Sequence, residues 1–180
     1  AVDSGHCMKI PTTFSMQEAA CIPETFITVW SNLFVRGKLK ANYKVLIHGG
    51  SSGIGTTAIQ LAKSFGATVY ATAGNENKCL AAEKLGASKC INYTTKQFED
   101  EIIKLTNGKG VDVILDMVAG SYVPRNLKCL SPDGRLIIIA VQDMGKENHL
   151  RGVFLFRGHR LHDAPHSSPT VRAFERRRTA

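Results

Sequence analysis

The sequence predicts an α/β fold built on a doubly wound parallel sheet, and three observations carry that prediction. A short apolar run, Val45-Leu46-Ile47-His48, enters the glycine-rich turn Gly49-Gly50-Ser51-Ser52-Gly53-Ile54-Gly55, after which Thr56 to Lys63 carries apolar residues at helical spacing. Beyond that unit, strand-like and helix-like stretches alternate at a steady interval. The length, 180 residues, suits one domain of ordinary size. Parallel strands need such crossovers, and right-handed crossovers place a ligand crevice at the carboxyl ends of the strands, where the glycine-rich turn falls.

The elements follow in order. Ser15 with Glu18 forms a capping box ahead of an apolar helical face, Ala19, Ala20, Phe26, Val29, Trp30, Leu33 and Phe34, which Pro23 interrupts. Strands are expected at Val45 to His48, Thr68 to Thr72, Cys90 to Asn92, Val111 to Leu115 and Arg135 to Val141. Helices are expected over Thr56 to Lys63, Asn75 to Leu85 and Lys96 to Leu105, the last capped by Thr95. Asp116, at the end of the fourth strand, reads as a helix cap.

The glycine-rich turn has a chemical reading as well as a structural one. Glycines let another group approach the backbone, and the first N–H groups of the following helix have no acceptor within it. That helix end behaves like about half a positive charge, so an anion such as a diphosphate is the natural guest. Alone, the turn is weak evidence of binding; its place at the first strand of an alternating chain strengthens it.

Composition narrows the function classes. No apolar run reaches the length of a membrane span, and the start lacks a basic-then-apolar secretory pattern, so a cytoplasmic protein without membrane contact is expected. Cys7, Cys21, Cys79, Cys90 and Cys129 are odd in number and form no C-x-x-C pair, which predicts free thiols and no metal site. The net charge of +8 is unevenly spread. Residues 1–144 contribute +3 and are rich in Lys, whereas residues 145–180 contribute +5, with seven Arg and one Lys against three acids. This tail shows no recognition helix, so nucleic acid is not an expected partner; disorder is the expectation.

Five separated segments carry a resemblance: "IPETFITVWSNLF", "VLIHGGSSGIGTTAIQLAKSFGATVYATAG", "KCLAAEKLGASKCINY", "GKGVDVILDMVAGSY" and "NLKCLSPDGRL". In this order they resemble the cofactor-binding half of a quinone oxidoreductase, from the zinc-independent branch of the medium-chain dehydrogenase/reductase superfamily. The tumour-suppressor-inducible quinone oxidoreductase subgroup is the most similar. The resemblance runs from about Gly5 to Val141. It implies a Rossmann-type NADP-binding domain over 14–144, a remnant of the GroES-like catalytic domain at 1–13, and an atypical basic tail at 145–180. Most of the catalytic barrel is then missing, and the chain is expected to be a truncated member.

The resemblance also assigns a cofactor and a site. NAD sites usually place Asp or Glu at the end of the second strand, but this strand runs into Thr72-Ala73-Gly74-Asn75. The family's matching positions for the 2′-phosphate of NADPH fall at Lys78 and Tyr93, with Gly74 and Asn75 also implied in cofactor binding; without the family, Lys78 reads as a solvated helix residue near Glu76. Ser52, Gly53, Ile54 and Gly55 are the diphosphate candidates, and Thr28, Ala140 and Val141 are implied near the nicotinamide. The implied reaction is hydride transfer from NADPH to a quinone-like or conjugated carbonyl acceptor; no catalytic side chain is identified. Copies of the chain are expected to pair through the edge strand Arg135 to Val141.

Two other readings stand beside it. One is a non-catalytic truncated product that pairs with a full-length subunit or is inert. The other is a short-chain dehydrogenase, whose phosphate turn "GGSSGIG" would also suit. That superfamily needs Lys four residues after Tyr, and Tyr43, Tyr70, Tyr93 and Tyr122 all lack it.

Overall fold

The computed structural model describes residues 2–140 and the strand Phe154–Arg157. Six strands form one sheet: β1 (Lys44–Ile47), β2 (Thr68–Ala73), β3 (Lys89–Asn92), β4 (Val111–Asp116), β5 (Leu130–Ile138) and β6 (Phe154–Arg157). Their order is β3-β2-β1-β4-β5-β6. The first five are parallel, and β6 joins β5 antiparallel. The order reverses beside β1, so the switch point of the sheet lies at the glycine-rich turn.

Alternation along the central strands divides the core between the two faces of the sheet. Val45, Ile47, Val113, Leu115 and Ile137 enter one fully buried cluster, while Leu46, Ile114, Leu136 and Ile138 enter the other. Successive strand side chains point to opposite faces, and helices must therefore cover both. The first cluster takes Ala58, Ile59 and Ala62 from α3 (Gly53–Ser64) and Cys79 and Ala82 from α4 (Glu76–Leu85). The second takes Phe98 and Ile102 from α5 (Phe98–Leu105) and Cys129 from α6 (Tyr122–Cys129).

Ahead of the sheet, α1 (Met16–Ala20) begins with the predicted capping box. The Glu18 N–H donates to Ser15 Oγ at 3.2 Å, and the Ser15 N–H donates to the Glu18 carboxylate at 2.8 Å. Pro23 does not interrupt the next helix. It sits in the first turn of α2 (Ile22–Val29), where a missing N–H costs nothing, and the break falls at Cys21 instead. α2 passes directly into a π-helical segment, Trp30–Arg36. Asn32 holds that wider turn: its Nδ2 donates to the Thr28 carbonyl at 2.8 Å, and its Oδ1 accepts from Arg36 at 2.9 Å.

Three expectations need correcting. Thr95 does not cap α5; its hydroxyl donates to the Asn92 carbonyl, and Gln97 takes the cap position without a side-chain capping bond, its Oε1 accepting from Arg125 instead. Asp116 caps no helix either. Its Oδ1 accepts from the N–H groups of Val118 and Ala119, which closes the loop after β4. The fifth strand is not the sheet's edge, because β6 covers it. It also ends at Ile138, and Val141 lies outside the described residues.

A half-buried ion pair joins α5 to α6. Arg125 donates to both oxygens of Glu99, with Nε at 2.9 Å from one and Nη2 at 2.8 Å from the other, and its guanidinium lies over the Phe98 ring. Burial alone would raise the Glu99 carboxyl, but hydrogen bonds from Arg125 and from its own N–H, with the charges of Arg125 and Lys128, hold it below its ordinary 4.5. A depressed carboxylate contributes stability above its ordinary value and loses that contribution as pH falls through the lowered one.

Two measurements check this packing. Ile114→Ala, in the fully buried layer, should cost about 2 to 5 kcal/mol in denaturant unfolding, whereas Val35→Ala, largely exposed, should stay within about 0.5 kcal/mol. Arg125→Met, which strands the Glu99 charge, should cost about 3 kcal/mol at neutral pH. That difference from the parent should shrink as pH is lowered below 4.5.

Candidate functional site

The carboxyl ends of β1, β2 and β4 lie together on one edge of the sheet, where parallel α/β sheets form their ligand crevice, and the glycine-rich turn follows β1 there. Ser52 caps α3, its Oγ accepting from the Gly55 N–H at 3.0 Å. The Ser52 hydroxyl proton points to Met117 Sδ at 3.5 Å, a weak acceptor, which leaves it available to a better one. The Gly53 and Ile54 N–H groups belong to the first turn of a twelve-residue helix, where helix geometry supplies no acceptor. Ser52, Gly53, Ile54 and Gly55 stand at the start of α3, with the Gly53 and Ile54 N–H groups at its positive end.

The close approach at this turn is steric. A β-carbon on Gly55 would stand 2.1 Å from the Gly49 carbonyl oxygen, so no larger residue fits. A β-carbon on Gly53 would meet Thr25 Cγ2 at 3.6 Å, an ordinary contact distance. Thr25 lies on α2, which packs along α3, and Thr28 follows it by about one turn on the same helix. Ala140 lies exposed beyond the end of β5. Nothing in the geometry joins Thr28 and Ala140 to one another.

At the neighbouring strand end, β2 runs into Gly74 and Asn75. The Asn75 Oδ1 accepts from the Lys78 N–H at 2.9 Å and caps α4, leaving the Lys78 side chain exposed beside the turn. The Tyr93 hydroxyl would lie 2.9 Å from a β-carbon on Gly74, so Tyr93 stands directly over this turn. Glu76 is turned to Asn92, whose Nδ2 donates to it at 3.1 Å. Gly74, Asn75 and Tyr93 thus meet at this turn with the Lys78 backbone, and β2 itself runs into Gly74 and Asn75 instead of an acid, the Glu76 carboxylate being held by Asn92.

Beneath the crevice lies a polar chain that sequence reasoning did not find. His48, fully buried, has Nδ1 3.0 Å from Thr72 Oγ1 and Nε2 2.7 Å from Asn126 Oδ1. The Asn126 Nδ2 donates to Asp116 Oδ2 at 2.9 Å. With its Nδ2 donating to Asp116, Asn126 turns its Oδ1, which can only accept, to His48. His48 then carries its proton on Nε2 and accepts from Thr72 on Nδ1. Burial lowers the imidazole's affinity for a second proton and so does Arg125, outweighing the opposite pull of Asp116 and Asn126. The signal available in the sequence was a histidine closing a wholly apolar strand, where burial demands partners.

Among the described residues, no group of three or more His, Cys, Asp or Glu is arranged to hold a metal ion. No helix among them is long and apolar enough to cross a membrane.

The sequence profile of the zinc-binding dehydrogenases matches residues 53–164. A phenolphthiocerol/phthiocerol polyketide synthase of Mycobacterium tuberculosis is 37% identical over 137 residues, 76% of this chain and 6% of that protein. Among solved structures, the CurK enoyl reductase matches 78% of this chain and 42% of its own, with 36% identity and a TM-score of 0.71. The Escherichia coli quinone oxidoreductase complexed with NADPH matches 76% of this chain and 43% of its own, with 30% identity and a TM-score of 0.69. The chain thus spans less than half the length of these relatives and carries their nucleotide-domain fold. On the profile match and these likenesses together, the chain belongs to the medium-chain dehydrogenase/reductase superfamily of oxidoreductases, within its zinc-binding dehydrogenase family.

Proposed function

We propose that this chain is the NADPH-binding domain of an oxidoreductase that passes hydride to a quinone or another conjugated carbonyl acceptor. The observation that carries the reading is the pairing of two features on one sheet edge: the unengaged N–H groups at the start of α3, and a second strand that ends without a carboxylate but beside Lys78 and Tyr93. What supports a dinucleotide is that the glycine at position 55 lets the first turn of α3 pack against the Gly49 backbone, which brings the N–H groups at the start of α3 to the strand ends.

In this reading Gly53 and Ile54 donate their N–H groups to the diphosphate, and Ser52 turns its hydroxyl from the Met117 sulfur to a phosphate oxygen. Lys78 supplies a charge-assisted bond to the 2′-phosphate, with Asn75, Gly74 and Tyr93 shaping its pocket. Thr28, Ala140 and Val141 border the nicotinamide, Val141 lying outside the described residues. A bound nicotinamide supplies the hydride; the chain orients it and excludes water on its side of the crevice. No zinc is needed for this step. The five free cysteines suit a reducing, cytoplasmic setting. Pairing of two copies, where it occurs, uses the outermost strand β6 in place of β5.

A second reading concerns the acceptor. Polyketide synthases and an enoyl reductase stand among the relatives, so an enoyl thioester is the alternative to a quinone. Both acceptors are electron-poor double bonds conjugated to a carbonyl, and this domain would serve either in the same way. An inert or regulatory fragment is the non-catalytic alternative.

Calorimetric titration with NADPH and with NADH tests the cofactor assignment. NADPH should bind at least about tenfold more tightly, and Lys78→Ala should remove that preference while leaving NADH affinity unchanged. Equal affinities in the parent chain would refute NADP selectivity; absence of both would favour the inert fragment. Loss of reduced-nicotinamide absorbance on adding a quinone or an enoyl thioester then separates the two acceptor readings.

A further inference from the structure

The two walls of the crevice come from parts of the chain far apart in sequence. One wall is the turn from Gly49 to Ser52, and the other is the loop after β4, from Met117 to Gly120. They touch: the Ser52 hydroxyl meets Met117 Sδ at 3.5 Å, and a β-carbon on Gly49 would lie 2.9 Å from the same sulfur. The loop is under backbone strain, since Ala119 sits at a φ of 59°. Asp116 Oδ1 holds it there, accepting from Val118 at 2.7 Å and Ala119 at 3.1 Å. The other oxygen of the same carboxylate begins the buried chain through Asn126 to His48, the residue directly before Gly49.

We propose that His48 and Asn126 are positioning residues: bonded Nε2–H to Oδ1, they lock the glycine-rich turn to the loop after β4 and so set the affinity of the crevice for a dinucleotide. The inference rests on the dinucleotide reading above. Each member has one orientation available. Asp116 fixes the Asn126 amide, Asn126 fixes the His48 tautomer, and Thr72 at the end of β2 donates to the remaining nitrogen. The chain therefore ties the ends of β4, β1 and β2 and the helix α6 into one rigid unit. The rings of Phe98 from α5 and Tyr122 from α6 pack edge-on against the imidazole, with centroids 4.7 and 4.9 Å away, and keep water out. No member of the chain reaches the crevice itself, so its action is through the walls.

The test compares His48→Leu, which removes both bonds, with His48→Gln, whose amide NH2 can still donate to Asn126. Ile102→Ala, in the same core cluster but away from the crevice, controls for lost stability. NADPH affinity should fall about tenfold or more in His48→Leu, recover to within about threefold in His48→Gln, and hold in Ile102→Ala at matched loss of melting temperature. Nitrogen NMR of the parent chain should show the His48 proton on Nε2. Parent-like affinity in a folded His48→Leu, equal loss in Ile102→Ala, or a proton on Nδ1 would each overturn the proposal. Should the parent bind no nucleotide, the dinucleotide reading fails, and the amide resonances decide the positioning role separately. Shifts in both walls, Gly49 to Ser52 and Met117 to Gly120, support it in His48→Leu; shifts confined to α6 and position 48 overturn it.

Discussion

At Gly55 the first turn of α3 presses against the end of β1, and a β-carbon there would stand 2.1 Å from the Gly49 carbonyl oxygen. Everything at the working edge follows from that contact. The helix can start close enough to the sheet for its amide groups to face the crevice only because two glycine-bearing stretches of backbone meet without side chains between them. The Gly50 N–H donating to the Thr72 carbonyl at 2.8 Å, and the His48 N–H donating to the Leu115 carbonyl at 3.1 Å, then fasten the same turn to the strands on either side. The sheet supplies rigidity, and the turn converts it into a fixed set of donors.

The electrostatics of the edge are arranged by elimination. The carboxylates around this edge already have partners within the fold. Glu76 receives the Asn92 amide, Asp116 receives two backbone N–H groups and Asn126, and Glu99 is held by Arg125 on the far face. What remains toward the crevice is backbone N–H, a serine hydroxyl and an exposed lysine. Such a surface suits an anion, and the absence of an acid at the end of β2 suits one with an additional phosphate.

The strands were legible because buried parallel strands must read as apolar runs, and Val45-Leu46-Ile47 and Val113-Ile114-Leu115 do so. The Ser15 cap was legible because its partner, Glu18, lies three residues away. The Thr95 cap failed for a local reason: its hydroxyl has a nearer acceptor in the Asn92 carbonyl. β6 was hidden because Phe154-Leu155-Phe156 is embedded in an Arg- and His-rich stretch that reads as a tail. The His48 chain was hidden for a different reason. Its partners Thr72 and Asn126 lie 24 and 78 residues away, and no local spacing announces a bond made only by the tertiary fold. The family resemblance named candidate residues at the turns; it named none of the buried scaffold.

If the edge formed by the glycine-rich turn and the β2 end is a dinucleotide site, amide NMR shifts on titrating the labelled chain with NADPH will register it residue by residue. Saturable changes are expected at Ser52, Gly53, Ile54 and Gly55 together with Gly74, Asn75 and Lys78, and none on the exposed aromatic face of Trp30 and Phe65. Shifts centred on that aromatic face, or none at the first turn of α3, would contradict a dinucleotide site at this edge.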